Sequence, residues 1–278
     1  MATTTEPVGV LVRRWRERRR RSQMDVALGA NLSTRHLSCI ETGRAVPSRS
    51  MIERLCDELE VPLRERNVLH LAAGFAPFHP ERPLTDLGAA RDAVEAVLTG
   101  HEPSPALAVN VRWELLTANR SATAFFAGLP EALLAPPVNV LRATLHPDGL
   151  AGRIRNLERW RAQVLRRVRR QLARTAAEGL ADLLEELESY PESCPRPYPV
   201  SYPVSGEGAD TVDGAGEKGH DDIAVPLLLS SEHGDLAFLY TTTVFGSPRD
   251  VTLDEIAVET FFPADAATAE VLKGMTSS

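Results

Sequence analysis

The sequence predicts two domains: an all-α N-terminal region of five short helices, then an α+β domain with one antiparallel sheet. Three observations lead there. The 278 residues are 43% apolar and 25% charged, enough for two hydrophobic cores. Residues 9–74 carry helical periodicity with only short breaks, whereas the second half mixes helical stretches with strand-like runs. Between them lies a stretch rich in proline and aromatic residues, Gly74 to Pro83, that reads as a connector. The expected division is 1–80, a linker helix within 81–104, and a second domain over 105–278.

The N-terminal helices are set by their caps. Val8, Leu11, Val12 and Trp15 recur at helical spacing. Ser22 is placed to cap a second helix, with Asp25 as its acidic partner three residues on. That helix should stop near Ala30, because Asn31 tolerates the positive φ of a tight turn. Ser33 caps a third helix whose Leu37 and Ile40 face inward, together with the preceding Leu32; Gly43 ends it. Ser48 or Ser50 opens a fourth, with Met51, Ile52, Leu55, Cys56 and Leu59 on one face. Pro62 opens a fifth, whose apolar set is Leu63, Val68, Leu69, Leu71 and Ala72.

In the second half, a helix over about 85–99 precedes a hairpin, Ala106–Val111 with Glu114–Ala118, turning at Arg112-Trp113. Asn119 caps a helix running into Phe125-Phe126. A helix over 138–145 ends in the turn His146-Pro147-Asp148-Gly149. A long helix over 150–175, with nine arginines and one glutamate, and an acidic helix over 178–188 follow. Residues 191–204 are proline-rich and can form at most an edge strand. Gly206–Asp222 reads as a mobile loop, and three strands are expected at Ile223–Leu229, Leu236–Val244 and Ile256–Phe262.

Several classes are excluded by composition. The longest apolar runs, such as Ile223–Leu229, are far below the ~18 residues needed to span a bilayer. The N-terminus lacks a secretory h-region, so a cytoplasmic protein without membrane association is expected. Three cysteines without a CxxC form neither a disulfide framework nor a zinc site, and no histidine array suggests another metal. No cofactor is expected. The net charge of −7 averages unlike halves: residues 1–80 carry 13 arginines against 9 acids, the rest 18 basic against 29 acidic residues. Only the first half is suited to face phosphate.

Reading DNA through the major groove requires a short helix whose first residues reach base edges and a partner helix that anchors on phosphate. The segment from Ser22 to Arg44 supplies both. Gln23 stands in the first turn of the second helix, where an amide can hold a phosphate. Ser33, Thr34, Arg35, His36, Ser38 and Cys39 lie along the third helix, and Arg35 could pair with guanine. Arg44 and Arg49 flank the helix end and suit backbone or minor-groove contacts. The run Arg13–Arg21, seven arginines with one glutamate, adds a local field that attracts a polyanion or serves as a solvated face.

These residues resemble the helix-turn-helix domain of the XRE (Cro/cI-type) regulators, a lambda-repressor-like fold. The matching pieces are Ser22-Gln23 with Ala27, Ser33 with Leu37, and Ile40-Glu41 with Gly43 and Pro47. Three further blocks, at 47–77, 136–150 and 251–269, resemble the MmyB-like regulators, which join such a domain to a PAS-like ligand-binding domain. The resemblance implies a homodimer on double-stranded DNA with a pseudo-palindromic operator. It also implies a small amphipathic ligand of the fatty-acid type.

A PAS-like fold keeps a cavity between sheet and helices, which makes Trp113, Phe126, Phe238, Tyr240 and Phe261 candidate walls or ordinary core. Asn139, Arg142 and His146 share one helix face. Arg142 could fork onto a ligand carboxylate, or equally form a structural ion pair. The Arg-rich helix could pair with the acidic helix 178–188, contact DNA, or hold a carboxylate. Two other classes stay in view. The second domain could only mediate dimerisation. An enzyme would require a nucleophile–base pair or a metal cluster that the second half does not display, so no enzyme is expected.

Overall fold

The computed structural model describes residues 6–192 and 225–276. The chain runs α1 (Val8–Arg18), α2 (Gln23–Gly29), α3 (Thr34–Glu41), α4 (Arg49–Glu58), α5 (Leu63–Ala72) and α6 (Ala89–Gly100). Then come β1 (Ala106–Val109), β2 (Leu115–Ala118), α7 (Arg120–Phe126), α8 (Glu131–Leu134) and α9 (Val140–Leu145). The last part holds α10 (Leu157–Thr175), α11 (Leu180–Ser189), β3 (Leu227–Ser231), β4 (Gly234–Val244), α12 (Val251–Glu255), β5 (Ala257–Pro263) and α13 (Ala266–Thr276). Two compact units emerge: residues up to 91 with 173–175 and 245–256, and the remainder.

In the first unit the expected caps are in place. Ser22 and Asp25 form a reciprocal capping box, so the Asp25 carboxyl is held below its usual range by the Ser22 hydroxyl and amide. Ser33 and Ser48 accept from His36 and Met51 N–H. Asn31 takes φ 54° and Gly43 φ 72°, the left-handed residues that let α2 and α3 stop. The core is built from Val12, Trp15, Val26, Leu37, Ile40, Ile52, Leu55 and Leu59, each nearly solvent-free. Burial of each such side chain contributes roughly 1.5–3 kcal/mol. α1 and α3 touch through Gly9, where a Cβ would lie 2.1 Å from the Ile40 carbonyl oxygen, so only glycine permits that approach.

On α5 the apolar face differs from the expectation: Leu71 is 52% exposed, and His70 is fully buried. The reason is polar: His70 Nε2 lies 2.7 Å from the Glu53 carboxylate of α4. Residues 245–256 complete this unit. Arg64 of α5 forks onto Glu255 at 2.6 and 2.9 Å, and Asp254 accepts the Leu63 N–H.

The second unit holds one antiparallel five-stranded sheet in the order β2-β1-β5-β4-β3. Trp113 takes φ 64° in the β1–β2 turn, and Asn119 caps α7 while its side chain also bonds Ala106 N–H and Ser104 O. α10 lays Leu157, Trp160, Val164, Leu165 and Val168 into the core. α11 adds Leu180, Leu183 and Leu187.

Three differences from the expectation stand out. The long helix begins at Leu157, not at 150, because the preceding backbone is drawn to strand β3: Ile154 bridges Leu229, and Arg155 N–H donates to Leu228 O. Residues Leu150–Arg153 instead form a 3₁₀ turn. β3 lies at Leu227–Ser231, two residues later than expected at its far end. The helices α8, α12 and α13 were not expected; α8 and α12 are too short to show a period, and α12 depends on its Asp250 cap. The expected edge strand at 191–204 lies largely, and the loop at 206–222 wholly, outside the described residues.

Candidate functional site

The first candidate site is the outer face of α2 and α3. Thr34, Arg35 and His36 are exposed in the first turn of α3, and Ser38 and Cys39 are half-buried behind them. The Ser33 hydroxyl is engaged as the cap of that turn. Arg44 is exposed with its Nε on the Thr42 hydroxyl at 3.0 Å, and the Arg49 guanidinium lies 4.9 Å from the centre of the Phe75 ring. The angle of this face is fixed from within. Arg16 of α1 forks onto Glu41, the last residue of α3, at 2.7 and 2.9 Å, and Gln23, the first of α2, donates to the same carboxylate at 2.8 Å. Glu41 is thus the node joining three helices. The Glu41 hydrogen bonds, opposed by burial, hold Arg16 charged with its pKa raised.

The arginine run is largely committed inside this unit. Besides Arg16, Arg19 donates to Leu59 and Glu60 carbonyls, and Arg21 pairs with Glu58 at 2.6 Å.

The second candidate site is a cavity of about 100 Å³ in the second unit, between the sheet, α7, α9 and α10. One wall is aromatic: Trp113, Phe125, Phe126, Trp160, Phe238, Tyr240 and Phe261. The aliphatic side comes from Leu107, Val140, Leu141, Ile154, Val164, Leu227 and Leu229. The polar end is one pair. Arg167 forks onto Glu259 at 2.6 and 2.7 Å and also reaches the Thr242 hydroxyl at 2.7 Å. Its guanidinium carbon lies 4.5 Å from the Trp113 ring centre and 5.5 Å from that of Tyr240. Burial works against the charge of Arg167, but the Glu259 bonds and its negative charge outweigh it, and the pKa is raised.

A chain with an α2–α3 reading face in one unit and a largely apolar cavity in the other matches known families in the same two places. A helix-turn-helix domain model matches residues 7–69. The model of the MmyB-like transcription regulator ligand binding domain matches residues 90–275, more than half of the chain. The chain belongs to the MmyB-like transcription regulators. It joins an XRE-type helix-turn-helix domain to an MmyB-like ligand-binding domain. No curated protein matches the chain.

In this MmyB-like regulator the expected ligand residues fall into two groups. Trp113, Phe126, Phe238, Tyr240 and Phe261 line the cavity. Asn139, Arg142 and His146 are not among its lining residues. Asn139 caps α9 through its side-chain oxygen. Arg142 forks onto Glu186 of α11, whose carboxyl is held below its usual range chiefly by that bond. His146 ends α9 and meets the Tyr190 ring edge-on. The Arg-rich helix pairs with the acidic one in part: Arg169 bonds Glu188, and Arg161 reaches the Leu187 and Glu188 carbonyls.

Sequence reasoning missed Arg167, Glu259 and Trp160. A signal for each was present. Arg167 is the arginine of α10 that follows Trp160 by seven residues and Val164 by three, hence on the apolar stripe. Glu259 alternates with Ala257 and Phe261 on one face of β5. Among the described residues no helix is long and apolar enough to cross a membrane, and no group of three or more His, Cys, Asp or Glu could hold a metal ion.

Proposed function

We propose that this protein is a sequence-specific DNA-binding regulator that acts as a homodimer. Its second domain, PAS-like in kind, binds a small amphipathic molecule that controls operator binding. The observation that carries the first half is the exposed first turn of α3, with Thr34, Arg35 and His36 free of the packing that holds α3 from behind. Arg35 and His36 are assigned to base edges, Thr34, Ser38 and Cys39 to the groove floor, and Arg44 and Arg49 to phosphate or minor groove. Gln23 and Ser33 support the approach at the two helix starts. One such domain offers few contacts, so two copies spaced by about one DNA turn are needed for useful affinity on a pseudo-palindromic operator.

The ligand half is supported by the largely apolar lining of the cavity, which suits an aliphatic chain. A ligand controls DNA binding only through different affinities for two arrangements of the protein. Nothing in the described residues favours chemistry at the cavity: a fork between an arginine and a glutamate provides neither a nucleophile nor a base with a partner to activate it. The test is selection of genomic fragments by the purified full chain at ~150 mM salt, where surface charge is already screened. An enriched pseudo-palindrome is expected. Retention of fragments without any shared sequence would refute sequence-specific reading.

A further inference from the structure

The arginines of α10 divide by what they meet. Arg161 holds the Leu187 and Glu188 carbonyls, Arg167 forks onto Glu259, and Arg169 pairs with Glu188 at 2.7 Å. Arg155, just before the helix, pairs with Asp235 at 2.8 Å. Arg159, Arg166 and Arg170 differ from all of these. They are exposed, and their guanidinium groups have no hydrogen-bond or ion-pair partner among the described residues.

These three stand in line. At 3.6 residues per turn they lie within about 40° of one another around the helix axis and span about 16 Å along it. Ala162 and Gln163, the nearest intervening positions on that face, carry no charge. The one acid of the helix, Glu158, points about 100° away from Arg159. Like charges four positions apart on a helix repel, so Arg166 and Arg170 do not serve the stability of α10. The second half is acidic as a whole, with 18 basic against 29 acidic residues beyond position 80. A basic stripe without an acid in it is therefore a local exception to the expectation that only the first half suits phosphate.

We propose that Arg159, Arg166 and Arg170 form a second DNA contact, carried by the ligand-binding unit, that holds phosphates without reading bases. Guanidinium forks match phosphate oxygens, and a row of cations matches the regular row of charges along a DNA strand. The proposal rests on the reading of the first unit as DNA-binding, which brings this polyanion to the chain. Unlike Arg35, the stripe adds affinity and salt dependence on every sequence alike.

The test uses the full chain and a ~30-bp mixed-sequence duplex, with affinity followed by fluorescence anisotropy from ~50 to ~250 mM salt. Two double variants remove the same charge. Arg166→Gln with Arg170→Gln takes it from the stripe; Arg155→Gln with Arg169→Gln takes it from exposed arginines paired to Asp235 and Glu188. Each phosphate contact contributes about 0.9 to the slope of log affinity against log salt. The stripe double should therefore lower that slope by about 2, and the affinity at ~100 mM salt by about tenfold or more. The paired double should change the slope by less than about 0.5. Arg166→Lys with Arg170→Lys keeps the charge and should keep the natural slope.

Equal losses of slope in the two glutamine doubles would overturn the proposal, because net charge alone would then account for them. So would an unchanged slope in the stripe double. If that double instead loses binding to phosphatidylglycerol vesicles while its DNA slope stays natural, the stripe belongs to an anionic membrane and the proposal is overturned. A natural chain whose slope responds to Arg44→Ala and not to the stripe double leaves the first unit DNA-binding and removes only this contact. If the natural chain does not bind the duplex even at ~50 mM salt, the DNA-binding reading falls, and this proposal with it. Should the stripe double fail to fold, Arg159→Gln alone, with an expected slope loss of about 1, still decides.

Discussion

Glu41 is the residue whose loss the helix-turn-helix unit should feel most. Its side chain is 2% exposed and takes three hydrogen bonds, two from Arg16 and one from Gln23. Glu41→Ala leaves the Arg16 side chain, 13% exposed, with only the more distant Glu17 carboxylate at 3.8 Å, and also strands the Gln23 amide. Breaking a buried pair by removing one partner costs about 3–5 kcal/mol. Two features place this case at the low end: Arg16 keeps a bond to the Arg21 carbonyl at 3.0 Å and retains some access to water. The expected loss is therefore about 3 kcal/mol. Replacing both partners, as Arg16→Met with Glu41→Met, removes the stranded charge. It should cost less than Glu41→Ala alone, with a coupling on the order of 1–3 kcal/mol across the cycle. Amide hydrogen exchange at Leu37 and Ile40, both fully buried on α3, reads the opening free energy of this unit within the intact chain. A loss under about 1 kcal/mol for Glu41→Ala, or strict additivity in the cycle, would refute the role of Glu41 as the node of three helices.

Two further outcomes follow from exposed and buried positions. Arg35→Ala should relax preference at one base position and cost about 1–3 kcal/mol at the specific site, whereas Arg44→Ala should weaken all sequences alike and reduce the salt slope by about 1; quantitative binding to a mutated operator set, repeated at several salt concentrations, separates them, and unchanged discrimination in Arg35→Ala would show that α3 reads in another register. His79 should make the first unit sensitive to mild acid. Burial pushes its imidazole below the ordinary value, against the pull of the Glu53 carboxylate and with the help of Arg66 and His70. The folded chain therefore binds this proton less readily than the unfolded one. Stability is complete above about pH 6.5 and falls as pH drops through that value. Exchange at the Leu69 amide, corrected for intrinsic rates, should quicken between pH 7.5 and 5.5, and His79→Gln should flatten that dependence.

The helix-turn-helix unit was legible because its boundaries are local chemistry. A serine at the start of a helix needs only its own next three residues to act, as Ser22, Ser33 and Ser48 do, and Asn31 and Gly43 need only their own φ. The hairpin and the alternating strands of the second unit were legible for a similar reason, the period of two. Positions governed by distant partners were not. His70 looks like a surface residue beside Leu71 until Glu53, seventeen positions earlier, turns it inward. The start of α10 is delayed by a bridge between Ile154 and Leu229, which no local pattern contains. Arg142 sits on the face expected for a head-group anchor, and Glu186 of α11, forty-four residues away, is what it meets.

The polar end of the cavity carries this furthest. Arg167 and Glu259 are 92 positions apart, and each by itself contradicts the apolar stripe it stands on. A lone charge at either place would shift its equilibrium toward the neutral form or draw water inward. Two opposite charges arriving there from α10 and β5 cancel, and the fork geometry satisfies the oxygens and the terminal nitrogens together. Once they cancel, this end of the cavity carries no net charge. An arginine inside an apolar cavity is ordinarily grounds for expecting an anion. Here β5 supplies the counter-charge from within the chain.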